Sequence, residues 1–153
     1  MQKDSTPARE LFTCRVPLEV RWRDVDAMGH VNNAVFLTYF EVGRVGYFRE
    51  VFGKPGSLGS DFPFIIARAS CDFLAPAKFG ETIDIHVRIS RIGGKSFEFE
   101  YLMTAQNDGR VVATGSTVQA CYDYASGRTI EVPAGFKDAV FRYERTKPTN
   151  ATG

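Results

Sequence analysis

From Cys14 onward apolar residues fall on every second position, Val16, Leu18, Val20 and Trp22, while Arg15, Glu19, Arg21 and Arg23 take the opposite face. Alternation with period two marks a strand with one buried face. The period then changes. From about Asn33 to Val51 or Phe52, the positions Phe36, Tyr39, Phe40, Gly43 and Tyr47 recur at spacings of three and four. They form one broad apolar stripe of a long helix, which Gly53 and Pro55 stop. Gly43 and Gly46 inside it each cost about 1 kcal/mol of helix propensity, so their use predicts a sheet wrapped closely around the helix.

Beyond a Gly/Pro/Ser loop at 53–60 come four further strand-like runs, at 62–73, 82–92, 96–106 and 110–124. In the second, Ile83, Ile85, Val87 and Ile89 alternate without a break with Asp84, His86, Arg88 and Ser90. Gly93-Gly94 and Asn107-Asp108-Gly109 are hairpin turns, so the last three runs are antiparallel neighbours. A short helix is expected over 134–143. The order strand, long helix, four antiparallel strands predicts an α+β domain with the helix on one face of the sheet. A single domain over 13–145 is expected, with 1–12 and 146–153 as flexible tails. One helix covers one face only, and Ala67, Ala69 and Ala113 place small apolar residues on the other. That second face is expected to be an interface between copies of the chain.

Composition narrows the function. The chain has 153 residues, 44% of them hydrophobic, enough for one core. Nineteen basic against 18 acidic residues leave a net charge of +1, no global field for nucleic acid or an anionic membrane. An anionic ligand must then be met by a local patch. No signal-like segment opens the sequence and no run of about 18 apolar residues occurs, so a soluble, cytoplasmic protein is expected. Cys14, Cys71 and Cys121 are widely spaced, lie in strand-like runs and form no CxxC, which predicts free thiols. No cluster has metal-ligand spacing, and no metal is expected.

The chemistry concentrates where the period changes. Asp24, Asp26, Gly29, His30, Asn32 and Asn33 crowd the elbow between strand and helix. An Asn here can cap the helix by accepting a bond from a first-turn N–H. Free N–H groups and the positive end of the helix dipole stabilise a developing oxyanion. Asp26 precedes Asn33 by seven residues, and Gly29 lets the intervening chain turn its carboxylate back beside those amides.

The run DVDAMGHVNNAVFLTYFEVGR resembles the signature of acyl-CoA thioesterases of the hotdog superfamily, the 4-hydroxybenzoyl-CoA thioesterase-like group. RASCDFLAPAKFG at 68–80 continues the resemblance, which covers roughly 16–132. It implies the hotdog fold, one long central helix packed against a curved antiparallel five-stranded sheet. It also implies hydrolysis of an acyl-CoA, with coenzyme A as part of the substrate and no other cofactor. Homodimers are implied, often paired into homotetramers, and neither nucleic acid nor membrane is an expected partner. At the Asp26 position such proteins carry the catalytic carboxylate, acting as nucleophile or general base. The amide at Asn33, with that of Ala34, would hold the carbonyl oxygen, while His30 and Asn32 position water or the carboxylate.

Gly29, Phe36, Tyr39 and Phe40 are expected around the acyl group. Arg91, Lys95 and Ser96, about the Gly93-Gly94 turn, are expected on the phosphates, with Arg68, Lys78 and Arg88 as further candidates. Another branch of the superfamily uses a carboxylate within the helix, the place of Glu41, but its spacing to Arg44 predicts an ion pair. Two other classes compete. A hotdog hydratase or dehydratase normally carries a different Asp/His motif, which is absent here. A non-catalytic acyl-CoA-binding hotdog protein would lack the carboxylate.

Overall fold

The computed structural model describes residues 6–53 and 63–150. Pro55, most of the expected loop, the first position of the 62–73 run and the extreme ends of both expected tails lie outside these residues. The elements in order are β1 (Cys14–Glu19), α1 (Val35–Phe52), β2 (Phe64–Phe73), β3 (Thr82–Ile92), β4 (Ser96–Ala105), β5 (Val111–Asp123), β6 (Arg128–Thr129), α2 (Ala134–Tyr143) and β7 (Thr149–Asn150). Strands β1 to β5 form one antiparallel sheet in the order β1-β3-β4-β5-β2. The two-residue strands β6 and β7 are appended to β5 and β3. This is the expected α+β architecture.

α1 ends at Gly53, whose positive φ of 69° suits glycine and lets its N–H cap Arg49 O at 2.9 Å. Its expected stripe is buried, with Phe36, Tyr39, Phe40, Gly43, Tyr47 and Phe48 turned to the sheet. There they meet Ile83, Ile85, Val87 and Ile89 of β3 and Phe97, Phe99 and Tyr101 of β4. Each fully buried side chain of this size contributes about 1.5–3 kcal/mol. The sheet does close tightly on the helix. A Cβ on Gly43 would lie 2.8 Å from a Val87 methyl and 2.9 Å from an Ile85 methyl, and one on Gly46 would overlap Val16.

The face away from the helix departs from expectation. Ala113 is buried on the helix side, and the outer face is polar. It carries the Arg88–Glu100 pair at 2.5 Å, the Ser70–Ser116 hydroxyl pair at 3.0 Å and the His86–Thr104 pair at 3.2 Å. Residues 6–12, expected within a tail, lie across it. Arg9 donates to His86 Nε2 at 3.4 Å and to Thr104 Oγ1 at 3.1 Å, and the buried Phe12 ring packs against His86. Ala67 and Ala69 are exposed on β2, the outermost strand. β1, the strand at the other margin, is short and carries Pro17 between the charged Arg15 and Glu19.

Residues 146–150 are also packed. β1 pairs with β3 only as far as Val87. Beyond that, the Ile89 N–H is taken by the Glu144 carboxylate at 2.9 Å, and β7 pairs in parallel with Arg91 and Ile92. Glu144 is fully buried. Its Oε1 also accepts the Tyr47 hydroxyl at 2.8 Å, while Oε2 has no partner among the described residues. Burial raises its pKa above the usual carboxylate range, against the lowering effect of those two hydrogen bonds. The folded state therefore favours the protonated form. Its stabilising contribution is complete below the unfolded pKa and is lost as pH rises through the folded one. Glu144→Gln, neutral at every pH, is expected to gain in melting temperature relative to wild type as pH goes from 5 to 8. A gain of about 1 kcal/mol would read as about 2–4 °C; a mutant-to-wild-type difference that stays constant with pH would contradict this account.

The three cysteines are free thiols, Cys14 and Cys121 buried and Cys71 half-buried. Burial pushes each up to about 11, which leaves them protonated and poorly nucleophilic at neutral pH.

Candidate active site

The elbow is a miniature hairpin. Val25 and Val31 are bridge partners, and between them the Asp26 N–H donates to His30 O at 2.9 Å and the Gly29 N–H to Asp26 O at 3.0 Å. Gly29 sits at φ +79°, as the turn demands. Asp26 organises the loop with one carboxylate oxygen, Oδ1, which accepts Met28 N–H at 2.9 Å and His30 N–H at 3.4 Å. Oδ2 accepts from none of the described residues.

Two further contacts hold the hairpin. Val31 N–H donates to Ala77 O at 2.8 Å, and His30 is the bridge partner of Lys78. From the other side Asp24 binds three pieces of chain together. Its backbone oxygen accepts Asn32 N–H at 2.9 Å, and its buried carboxylate accepts the Tyr39 hydroxyl at 2.9 Å and the Arg21 guanidinium at 3.0 Å. Those hydrogen bonds and the Arg21 charge outweigh the burial and hold its pKa below the usual carboxylate value.

Asn32 caps the turn before α1, its Oδ1 accepting Ala34 N–H at 3.0 Å, and helical bonding begins two residues beyond the expected start, at Val35. The Ala34 amide is therefore already engaged. The Asn33 N–H donates to none of the described residues, and Asn33 is exposed.

Asp26, His30, Val31, Asn33 and Phe36 line one side of a cavity of about 290 Å³, and Phe73, Leu74, Ala75, Pro76 and Ala77 line the other. Phe36 and Phe73 meet edge to face at 5.4 Å between centroids. The second wall was not singled out residue by residue in the sequence; its signal was the Pro76 break directly after a strand. His30 is half-buried at the cavity and its ring has no partner among the described residues. His86, by contrast, is a buried imidazole lowered to about 4 by desolvation and the neighbouring Arg9.

The other expected substrate residues fall elsewhere. Tyr39 is spent on Asp24, and Phe40 is stacked on Tyr101 at 4.2 Å in the core, so only Phe36 of the helix stripe reaches the cavity. Arg91, Lys95 and Ser96 sit at the far end of the sheet. β3 runs eleven residues from the elbow end to Ile92, roughly 30 Å at about 3.3 Å per residue. Arg91 faces Glu98 at 4.0 Å, and the Gly93 N–H closes its own turn on Ser96 O at 2.7 Å. Arg68 is exposed on β2, and Arg88 is held by Glu100. The expected Glu41–Arg44 pair does not form, because Arg44 donates instead to the Tyr101 hydroxyl at 3.1 Å. Glu41 lines a separate groove with Val16, Thr38 and Val45.

Among the described residues no group of three or more His, Cys, Asp and Glu side chains gathers as a metal site, and no helix is long and apolar enough to cross a membrane.

Comparison with known proteins bears on the family and the fold. The family model of the Thioesterase-like superfamily matches residues 20–140. The long-chain acyl-CoA thioesterase FadM of Escherichia coli K12 is 21% identical over 121 residues, 79% of this chain and 92% of that protein. The acyl-CoA thioesterase YbgC of Haemophilus influenzae is 25% identical over 126 residues, 80% of this chain and 90% of that protein. A solved thioesterase from Thermus thermophilus, complexed with coenzyme A and zinc, is 35% identical with a TM-score of 0.78, covering 88% of this chain and 96% of that one.

Proposed function

This chain belongs to the Thioesterase-like superfamily, and from that premise we propose that it hydrolyses an acyl-CoA thioester to the free acid and CoA. The observation that carries the reading is the meeting, at one cavity, of Asp26 and Asn33, whose backbone N–H donates to none of the described residues. Relatives named as acyl-CoA thioesterases support the substrate class.

In the nucleophilic route an Asp26 oxygen attacks the thioester carbonyl carbon. The Asn33 N–H stabilises the oxyanion, the C–S bond breaks to release CoA thiolate, and water hydrolyses the resulting anhydride. In the general-base route Asp26 takes a proton from the water that attacks the same carbon. A thiolate leaves readily, so neither route requires a strong general acid. With Ala34 already bonded to Asn32, Asn33 is the single amide assigned to the oxyanion. His30 and Asn32 keep positioning roles, His30 toward water and Asn32 through the turn that aims the Asn33 amide. Phe36, Phe73 and Leu74 supply apolar surface for the acyl group.

Thiol release from a panel of short, long and aromatic acyl-CoAs tests the reaction. Turnover of at least one member is expected. Binding of CoA thioesters without turnover of any member would replace this reading with a non-catalytic acyl-CoA-binding protein.

Self-association is the second part of the proposal, and its site is the β2 margin. This ten-residue strand has one edge that pairs with no strand among the described residues, and it exposes Ile66, Ala67, Ala69 and Phe73. A long open edge with exposed apolar residues is a template for a second strand, even with Arg68 and Asp72 among them. Sedimentation velocity is expected to give at least twice the 17.1 kDa chain mass, falling toward one chain when Ala67 and Ala69 are both replaced by Lys; a wild-type monomer would exclude the pairing.

A further inference from the structure

Trp22 is the only tryptophan of the chain and is 75% exposed. It stands on a short helical turn that Asp24 ties down through Arg21, so its position is fixed although its indole is bare. A separate segment brings Phe79, 55% exposed, edge-on to it at 5.4 Å between centroids. Two large aromatic faces held together in water by two distant segments mark a binding surface.

The charges next to them in sequence add to this. Arg23 and Lys78 flank the pair in sequence; both are exposed, and the side chain of neither pairs with a carboxylate among the described residues. Arg21, in contrast, is occupied by Asp24. Planar aromatic surface beside unpaired cations is the chemistry that holds a nucleobase and its phosphates. The surface also lies at the correct end of the molecule. Lys78 is the bridge partner of the cavity-lining His30, a separation of about 5 Å between paired Cα atoms. The Arg91–Lys95 turn lies roughly 30 Å away along β3.

Resting on the thioesterase reading above, we infer that Trp22 and Phe79, with Arg23 and Lys78, form the subsite for the nucleotide end of coenzyme A. The adenine stacks on the indole, and the phosphates meet Arg23 and Lys78. The pantetheine arm then passes the His30–Lys78 bridge to bring the thioester to Asp26.

The single tryptophan makes the test direct. Titrating the full chain with CoA, and with adenosine 3′,5′-bisphosphate, is expected to quench Trp22 fluorescence saturably, and the paired reversal Arg23→Glu with Lys78→Glu to weaken that response. Trp22→Leu is expected to raise KM for acyl-CoA about tenfold, the loss of one stacked base, without a matching fall in kcat. Because the replaced side chain is exposed, an unchanged melting temperature will show that the variant folds. Saturable quenching by CoA from a wild type that hydrolyses no thioester would uphold the subsite while removing the thioesterase reading. Intact hydrolysis with no quenching and an unchanged KM in Trp22→Leu would overturn the subsite alone. So would a KM that responds to charge reversal at Arg91 and Lys95 and not at Arg23 and Lys78.

Discussion

Replacing Asp26 with Asn is expected to lower kcat for acyl-CoA hydrolysis by at least about 10³-fold, within the range attributed to a positioned acid–base group, while KM changes little. The substitution separates chemistry from structure. A carboxamide can still present an oxygen to the Met28 and His30 amides that Asp26 Oδ1 now holds, so the hairpin and the Asn33 amide behind it stay in place. What disappears is the carboxylate of a cavity-lining residue, the group that in the proposed reaction would attack the thioester by one route and accept a proton by the other. Thiol release measured beside wild type, with the melting temperature as a check on folding, decides the matter. Activity that survives Asp26→Asn but is lost in Glu41→Ala would move the catalytic carboxylate into α1, where the groove beside Val16 and Val45 would become the site to examine.

The second large effect concerns stability. Gly115 of β5 lies opposite Cys71 of β2, beneath the Phe40 ring. A methyl group there would overlap both Phe40 Cζ and the Ser70 carbonyl oxygen. Phe40 cannot swing clear, because it is stacked between the helix and Tyr101, and Ser70 O is backbone. Gly115→Ala must therefore part β2 from β5 or lift α1. Overpacking costs up to about 3 kcal/mol and occasionally more, equivalent to a fall of about 6–12 °C in a domain of this size. Gly135→Ala is the matched control. A Cβ at Gly135 meets no atom within 4 Å, and in α2 the change gains helix propensity of up to about 1 kcal/mol. Equal melting temperatures for the two variants would mean that the sheet is less tightly closed on the helix than described. Any displacement of β2 also moves the cavity-lining Phe73, so on the proposed function Gly115→Ala should raise KM for acyl-CoA before it unfolds the chain.

What could be read from the sequence follows the range of the forces involved. The alternation of Ile83 to Ile89 with polar partners and the αL stop at Gly53 are local signals, and the structure places both as expected. The two helix glycines were legible for a related reason, since a residue with a propensity cost inside a helix implies a tertiary compensation, found here at Val87, Ile85 and Val16. Partner choices between distant segments were not legible. Nothing near Arg9 or Phe12 points to His86, and nothing near Glu144 announces that its carboxylate replaces a missing strand at Ile89. Arg44 had two compatible partners, Glu41 and the Tyr101 hydroxyl, and only the sheet's approach to the helix chose between them. In the elbow the residues are near neighbours, so the gathering of Asp26, His30 and Asn33 was legible; the engagement of the Ala34 amide depended on which way Asn32 turned.

Pro17 in β1 bears on how many copies can join. It removes an amide from the middle of a six-residue strand at one margin of the sheet and discourages any strand from adding there. β2, at the opposite margin, carries no proline over ten residues. A sheet that can grow from one side only is extended once. Two chains joined through β2 would present a Pro17-bearing strand at each outer end, so pairing through this edge stops at two and cannot propagate into a fibre.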